Sequence, residues 1–508
     1  MSSTTRIDNS KRNMIYGLFC QVITILFSFI NRQIFIILLG KEYLGIHGLF
    51  ANILTLLSLT EMGIGNAFLF FLYKPIRDRD YIKLRALLNF CRKLFIYVAV
   101  LVLVLGIIVV PLLPLIVDVD MEFNKIRLYY IIYLMNSVLS YFSVNKSMII
   151  EADQKNFVIS SFRTVIQVIQ NIAQILLLLL FHDYMVYLLV QAGCTILYNI
   201  SITYKAHKMY PYVFHGKAEQ LNKENKKSIL EMIRATLIYK VGIVVMNNTD
   251  NLLISIIITT VSVGYYSNYR MVESVISQFV SVLIRAITAS LGDLNAENNQ
   301  EHSLRTFKML VFSFHGLSVF CSICLLLCIN DFILLWIGEA YLLNMDVVIA
   351  MIFCFYVSNI ITPVWVYRET MGLYQETKYL MLLAAFINLI LSAVLGNLIG
   401  LSGIIAATGI ARILTTVWYE PRILFKKRFK ENVNAYYVQQ IGYIMQSLLC
   451  VAVIYCATKH FPVSLIGMFG KVLVTFIVVL LIFALFNREK AEYTYLKKMV
   501  KEIVRKYK

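Results

Sequence analysis

The sequence is poor in charged residues. Only 15% of its 508 residues are Asp, Glu, Lys or Arg, whereas soluble domains carry about 25%, and this excludes an ordinary soluble enzyme. Instead, 59% of the residues are hydrophobic, and they form runs such as 14–39 and 94–117. A helix needs about 20 apolar residues to cross about 30 Å of hydrocarbon. The runs lack an alternation of period two, which excludes a transmembrane barrel.

The sequence also lacks the motifs of the common enzyme classes. It has no G-x-x-x-x-G-K-[ST] phosphate-binding loop, and the nearest approach, residues 467–471, lies in an apolar run without the required spacing. H-E-x-x-H, G-x-S-x-G and aspartate-rich nucleotide-sugar motifs are absent, as are long outward loops. The nine cysteines lie within apolar runs, so neither a disulfide framework nor a metal site is predicted. A transporter is expected, and not an enzyme.

Acidic residues are fewer than basic ones, 29 against 47, which gives a net charge of +18. The Lys and Arg residues are concentrated at 74–93, 205–234, 422–430 and 488–508. The loops that alternate with these, on the opposite side of the membrane, contain few basic residues. This alternation follows the positive-inside rule. It predicts a multi-pass protein of the bacterial inner membrane with both termini in the cytoplasm. The charge therefore orients the protein, and nucleic acid is not an expected partner.

The apolar runs predict an all-α membrane protein with about fourteen transmembrane helices, of which the first twelve look like one six-helix unit written twice. Four pairs of similar residues recur at spacings of 219, 219, 218 and 216. The pairs are Asn31-Arg32 with Asp250-Asn251, Gly45 with Gly264, Glu151 with Glu369, and Ala192-Gly193 with Thr408-Gly409. A parallel repeat of this kind is typical of alternating-access transporters, whose two lobes move about a site at their interface.

The predicted organisation has six parts. They are an N-lobe at 1–204, a basic cytoplasmic linker at 205–232, a C-lobe at 233–420, a basic cytoplasmic loop at 421–437, two further helices at 438–486, and a basic cytoplasmic tail at 487–508.

Several ionisable residues lie inside the predicted helices, where they cost free energy unless they face a cavity or a partner. The cations Arg32, Lys240 and Arg270 are candidates for a substrate-binding cavity. The candidates for ion coupling or for polar cavity positions are Asp250, Glu61, Glu273, Asn247 and Asn251. Because cations predominate, and because the Arg guanidinium matches phosphate with a fork of donors, an anionic substrate is expected.

Simpler interpretations exist for some of these residues. Lys146, Arg163 and Arg412 lie near helix ends, where their side chains can extend to lipid headgroups. Arg270 and Glu273 are three residues apart and can neutralise each other on one helix. Arg32 is harder to explain in this way. It lies about seven residues inside its helix and aligns with the polar run around Asp250, which favours a shared hydrated cavity.

Long stretches of the chain resemble a known superfamily. Residues 31–67 read NRQIFIILLGKEYLGIHGLFANILTLLSLTEMGIGNA, and EADQKNF at 151–157 is echoed by ETMGLYQETKYL at 369–380. These segments resemble the polysaccharide-transporter branch of the multidrug/oligosaccharidyl-lipid/polysaccharide exporter superfamily, the O-antigen and capsule repeat-unit flippases. The resemblance implies fourteen helices in two lobes and a cationic cavity for a lipid-linked, pyrophosphate-bearing glycan. It points to Arg32, Arg270 and Lys240 as cavity residues.

The expected function is to flip undecaprenyl-pyrophosphate-linked oligosaccharide across the inner membrane. No cofactor is expected beyond a coupling ion, H⁺ or Na⁺. The expected partners are the lipid-linked glycan, membrane lipids and glycan assembly proteins, and the protein is expected to be a monomer. Three alternatives stay open: a lipid II flippase, an ion-coupled multidrug exporter of the same superfamily, and a membrane-embedded polysaccharide polymerase.

Overall fold

The computed structural model describes residues 3–58, 64–214, 221–296, 300–371, 373–377, 379–494 and 497. Within these residues every regular element is a helix. The chain divides into two compact units, Met1–Gly264 and Tyr265–Lys508. The first unit extends beyond the predicted linker, so the lobe boundaries at 204 and 233 stay a prediction.

The first unit contains ten helices and the beginning of an eleventh. They are α1 (Ser3–Leu57), α2 (Ile64–Asp78), α3 (Tyr81–Val109), α4 (Leu113–Ile116), α5 (Phe123–Ser140), α6 (Val144–Ala152), α7 (Asn156–Phe181), α8 (Tyr184–Met209), α9 (Pro211–Phe214), α10 (Lys223–Ile257) and α11 (Thr260–Ala296).

The second unit holds the rest of α11 and nine more helices. They are α12 (Gln300–Ile337), α13 (Met345–Ile360), α14 (Thr362–Thr370), α15 (Tyr374–Thr377), α16 (Leu380–Ile399), α17 (Leu401–Leu414), α18 (Thr416–Leu424), α19 (Asn434–Thr458) and α20 (Leu465–Asn487).

Ten helices in the described part of the chain are long and apolar enough to cross a membrane. Several passages are broken rather than straight. α1 kinks at Gly40, where a φ of +84° is accessible to glycine without strain, and α5 joins α6 through the 3₁₀ turn Tyr141–Ser143. The described residues also hold the long helices α10 and α11, which are not among these ten. The predicted fold class, an all-helical membrane protein with about fourteen helices, is confirmed.

The helix breaks recur at the spacing of the sequence repeat. The kink at Gly40 corresponds to the gap between α10 and α11 at Thr259, 219 residues later. α7 and α16 both end in a residue of positive φ, His182 and Gly400, which are 218 residues apart. Since neither break is among the four residue pairs that define the repeat, they support the duplication independently.

In the first unit, α1 packs chiefly on α7 and α10, while α8 packs on α5 and α7. The second half of α1 and the beginning of α11 cross at two glycines that the repeat had paired. A Cβ on Gly264 would lie 2.9 Å from the backbone nitrogen of Gly45, and a Cβ on Gly45 would overlap the carbonyl oxygen of Thr260. Close to this crossing the Asp118 amide donates to the Thr260 hydroxyl at 2.7 Å. Only residues without side chains allow so close an approach.

Replacing Gly45 with Ala is therefore expected to destabilise the protein by about 1–3 kcal/mol, the usual cost of overpacking. Gly193→Ala is the matched control, because nothing lies within 4 Å of a Cβ at this helical position. The control is expected to be neutral or stabilising by about 0.5–1 kcal/mol, since Ala favours helices over Gly. Unfolding of both variants in detergent micelles measures the difference. Equal stability of the two variants would contradict the close crossing.

In the second unit, α12 is the central element, and α13, α14, α19 and α20 pack on it. The hydrophobic core includes Phe307, Tyr367 and Tyr443, all of which are almost completely buried. The second unit also holds one buried and one partly buried ion pair. Arg368 of α14 pairs with Glu420 of α18 at 2.8 Å, and Lys471 of α20 pairs with Asp331 of α12 at 2.5 Å.

Candidate functional site

Arg32 lies on α1 in the first unit, two turns before the kink at Gly40. Its side chain is half-buried, and it lies within electrostatic reach of the phenol groups of Tyr133, Tyr184 and Tyr187. Two helices, α5 and α8, thus bring three hydroxyl groups near one guanidinium. We call Arg32, Phe35, His47, Tyr133, Tyr184 and Tyr187 the arginine–tyrosine cluster.

The beginning of α8 presents two of these tyrosines. The Asp183 side chain accepts a hydrogen bond from the Met185 amide at 2.8 Å and caps the helix. Tyr184 and Tyr187 follow at a spacing of three, so they share a face, and their rings stack with centroids 6.2 Å apart. Tyr184 is completely buried, whereas Tyr187 is partly exposed.

The kink at Gly40 folds α1 so that His47 returns to Phe35. The two rings have centroids 5.7 Å apart, and Phe35 also meets Tyr187 edge-on at 4.9 Å. The His47 Nδ1 atom lies 3.1 Å from the Tyr184 hydroxyl, and its ring meets Tyr133 at 5.4 Å. Four helical segments therefore fix the imidazole and the phenols around Arg32.

A network of buried amides sets the rotation of α1 at this level. The Asn31 amide donates to Asn171 Oδ1 at 2.7 Å and to Gln174 Oε1 at 2.8 Å, and Gln174 donates to the Tyr187 carbonyl at 3.2 Å. Buried polar groups that are hydrogen-bonded to one another favour a single packing arrangement. Because Arg32 follows Asn31, its direction is set by the same contacts.

The network has a counterpart in the second unit. Asn388 of α16 donates to the Thr408 hydroxyl of α17 at 2.9 Å. Asn388 lies 217 residues after Asn171, within the range of the repeat spacings. A buried polar contact between helices thus recurs at the spacing of the repeat.

The arginine–tyrosine cluster combines groups suited to a phosphorylated glycan. A guanidinium offers two parallel donors to a phosphate, and tyrosines combine a flat apolar ring with a hydroxyl group. Such an arrangement can hold an anionic group and present rings and hydroxyls to attached sugars.

α10 carries four further predicted residues of the first unit. Asp250 is buried, with 7% of its surface exposed, Asn251 is half-buried and Asn247 is exposed. Lys240 is half-buried and lies ten residues before Asp250. Between them, the side chains of Asn248 and Thr249 bond back to the carbonyls of Val244 and Val245 of their own helix. The polar run therefore continues as helix, packed on the helix that carries Arg32.

The second unit places Arg270 and Glu273 on α11. Arg270 Nη1 lies 2.6 Å from Glu273 Oε2, and the Arg270 side chain is 47% exposed whereas that of Glu273 is 8% exposed. Because the two residues are three apart, they form this pair on one helix face. The sequence analysis gave this mutual neutralisation as the simpler interpretation. Tyr269 beside them is buried, donates to Asn330 and accepts from the Leu343 amide. These hydrogen bonds give Tyr269 a structural role. Glu61 lies outside the described residues.

The three cations near helix ends all lie over aromatic rings. Lys146 Nζ is 3.8 Å from the centre of the Phe214 ring, whereas Arg163 and Arg412 lie 5.9 Å from Tyr198 and Trp365. Cation–π contacts of this kind stabilise a charge at the edge of an apolar region.

Sequence reasoning missed most of the arginine–tyrosine cluster. Tyr133, Tyr184 and Tyr187 were not among the candidate site residues, although the spacing of Tyr184 and Tyr187 after a capping Asp183 was visible. It also missed the ion pair of Lys471 with Asp331, which joins residues 140 positions apart. Among the described residues, no group of three or more His, Cys, Asp or Glu is placed to hold a metal ion.

The sequence profile of a family described as polysaccharide biosynthesis protein matches residues 10–289. The chain belongs to this family. None of the curated proteins matches the sequence.

Solved transporter structures share the fold. The structure of the lipid II flippase MurJ in an inward closed conformation is 15% identical over 94% of this chain and 98% of that chain, with a TM-score of 0.65. An inward-facing multidrug resistance MATE transporter of the MOP superfamily is 13% identical over 80% and 98%, with a TM-score of 0.63. A mutant of the Vibrio cholerae MATE transporter VcmN is 14% identical over 85% and 99%, with a TM-score of 0.58. These likenesses show that the chain has the fold of these transporters.

Proposed function

We propose that this polysaccharide biosynthesis protein is a flippase for an undecaprenyl-pyrophosphate-linked oligosaccharide, the repeat unit of an O-antigen, capsule or exopolysaccharide. The family match supports a role in polysaccharide biosynthesis, and the transporter fold supports translocation. The single observation that carries the proposal is the arginine–tyrosine cluster, in which Arg32 lies among three tyrosines inside a membrane bundle. An acidic, not a basic, interior would suit a cationic drug.

Each part of the substrate has a matching group. The Arg32 guanidinium binds the pyrophosphate or an acidic sugar through paired hydrogen bonds, and the neighbouring phenols bind sugar hydroxyls. Arg270, whose side chain is half exposed beside Glu273, and Lys240 supply further positive charge. The polyprenyl tail stays in lipid, because moving it through a polar interior would forfeit about 0.8 kcal/mol for each CH₂.

The proposed orientation places both termini and the basic loops in the cytoplasm of a bacterial cell, following the positive-inside rule. The lobes at 1–204 and 233–420 alternate about the substrate. H⁺ or Na⁺ movement drives the cycle, with Asp250, Glu273 and Glu61 as candidate coupling carboxylates. The protein works as a monomer beside the glycan assembly proteins.

Deletion of the chromosomal copy tests the function. The expected result is loss of the surface glycan together with accumulation of lipid-linked repeat units on the cytoplasmic side, because synthesis continues while translocation stops. Extracted lipid-linked oligosaccharides are quantified with and without a plasmid copy of the protein. Loss of glycan without accumulation of lipid-linked units would contradict a flippase and would favour an earlier step, whereas accumulation on the outer side of the membrane would favour a polymerase.

A lipid II flippase is the second candidate, favoured by the fold shared with a solved lipid II flippase. It predicts that depletion stops growth and that lipid II accumulates, whereas a repeat-unit flippase leaves peptidoglycan precursors at normal levels. Measurement of both lipid pools in one depletion strain separates the two candidates.

A further inference from the structure

A second polar site lies at the other end of the first unit. Its cavity has a volume of about 900 Å³ and is formed where α2 turns into α3, α6 turns into α7, and α8 ends. Tyr187 of the arginine–tyrosine cluster and Tyr210 of this cavity are separated by the length of α8, about 34 Å at 1.5 Å per residue. The two sites are therefore distinct.

Most of the charged residues that line the cavity are cations. Lys74, Arg77, Arg79, Lys83 and Lys155 face one carboxylate, Asp153. Nearby carboxylates neutralise only part of this charge. Arg77 is bonded to Asp78 at 3.2 Å, and Glu151 lies within electrostatic reach of Tyr73 in the cavity wall.

Asp153 is already satisfied from two sides. Lys155 Nζ lies 2.6 Å from its carboxylate, and the Tyr210 hydroxyl donates to it at 2.8 Å. Burial and this hydrogen bond raise the pKa of Tyr210, so the phenol stays protonated as a donor. Within the described residues, Lys74, Arg79 and Lys83 have no ion-pair partner. These three cations of the wall are the candidate ligands for an anionic group.

The other walls are aromatic and apolar. Phe70 and Tyr73 are 61% and 49% exposed, as expected of residues at the edge of a bilayer. Tyr81 and Tyr212 form a ring pair with centroids 4.3 Å apart. A cavity with an apolar side and a cationic side suits a ligand that has an apolar part and an anionic part. A lipid with a phosphate headgroup is such a ligand.

Two of the turns that build the cavity hold a non-glycine residue in the left-handed region. Arg79 has a φ of +57° and Gln154 a φ of +61°. Such residues cost free energy, and they persist where the surrounding structure fixes them, often at binding sites. Arg79 comes directly after α2 and Gln154 comes two residues after α6, and both residues lie in the wall of the cavity.

We propose that this cavity binds the phosphate headgroup of an anionic lipid at the cytoplasmic surface, with Lys74, Arg79 and Lys83 as the phosphate ligands and Tyr81 and Tyr212 as an aromatic wall. The cytoplasmic location rests on the orientation given under the proposed function. The headgroup belongs either to an anionic phospholipid or to a polyprenyl pyrophosphate, and both present the same chemistry.

Binding of short-chain lipids to the full-length protein in detergent tests the site. The probes are short-chain phosphatidylglycerol, farnesyl pyrophosphate and, as an uncharged comparison, short-chain phosphatidylcholine. Replacing Lys74, Arg79 and Lys83 with Gln together is expected to weaken binding of an anionic probe at least about tenfold, since each cation near an anionic headgroup contributes favourably. Binding of phosphatidylcholine is expected to be weak and unchanged.

The matched control replaces Lys223, Lys226 and Lys227 with Gln. These residues lie at the beginning of α10 and do not line the cavity. Their replacement removes the same charge from the same unit as the cavity variant does. The control is expected to bind all three probes like the unaltered protein. Binding of phosphatidylglycerol alone identifies a phospholipid site, and binding of farnesyl pyrophosphate alone identifies a site for the lipid carrier.

Equal affinity of the two triple variants for both anionic probes would overturn the proposal, as would equal binding of phosphatidylcholine and the anionic lipids. Size-exclusion profiles and melting curves show whether each variant is folded. If the cavity variant does not fold, Arg79→Gln alone, at an exposed position, repeats the comparison. In an Arg32→Ala variant, lipid binding reports on this cavity and glycan export reports on the proposed function. Normal lipid binding together with lost export would show that the two can fail separately.

Discussion

Replacing Arg32 with Ala is expected to reduce glycan export at least about thirtyfold. The guanidinium is half-buried among three phenols, so its loss removes the charge that a phosphate would meet. Truncating one partner of a buried, hydrogen-bonded charge pair costs about 2–5 kcal/mol. Arg32→Lys is expected to retain part of the activity, because it keeps the charge but loses the two parallel donors. Surface glycan and lipid-linked repeat units are quantified in a deletion strain that carries each variant.

Arg163→Ala is the matched control for this experiment. Arg163 also lies within a membrane helix, but its guanidinium lies over the Tyr198 ring and belongs to no part of the arginine–tyrosine cluster. The control is expected to export glycan at close to the normal rate. Adding Arg270→Ala to Arg32→Ala is expected to abolish what remains. Normal export by the double variant, at normal protein levels in the membrane, would exclude a substrate-binding role for both arginines.

The sequence was sufficient to predict the fold because the bilayer leaves few choices. Lipid requires each apolar run to satisfy its own backbone hydrogen bonds, so the runs are helices whatever their detailed packing. The repeat could be found because Gly45 and Gly264 are each needed for the close helix crossing. Positions constrained by backbone contact keep their residue type in both halves.

The candidate site was predicted only in part, because side-chain partners in a helical bundle are not local. Arg270 and Glu273 could be paired in advance, since a spacing of three places them on one helix face. Tyr133 and His47 come together from different helices, and no periodicity relates them. An apolar run shows that a helix crosses the membrane but not which of its faces meets which neighbour. The tyrosines around Arg32 therefore could not be assigned to it from the sequence.

The buried ion pair of the second unit shows how such a partnership affects stability. Arg368 and Glu420 are 52 residues apart in sequence, their side chains are 3% and 2% exposed, and their charged atoms lie 2.8 Å apart. Replacing Arg368 with Ala is expected to destabilise the protein by about 3–5 kcal/mol, because the carboxylate of Glu420 is left buried without its counter-charge. Equilibrium unfolding in mixed micelles measures the loss.

The double variant Arg368→Met/Glu420→Leu distinguishes a lost charge pair from a lost contact. Because apolar side chains of similar volume often replace a buried ion pair at little cost, the double variant is expected to regain most of the stability that Arg368→Ala loses. Lys125→Ala is a control of the opposite kind, since its ion pair with Glu122 is exposed and such pairs contribute about 0–1 kcal/mol. If Arg368→Ala costs no more than Lys125→Ala, the pair does not stabilise the second unit. If the double variant loses as much as the single one, the interaction depends on shape and hydrogen bonding rather than on the balance of charge.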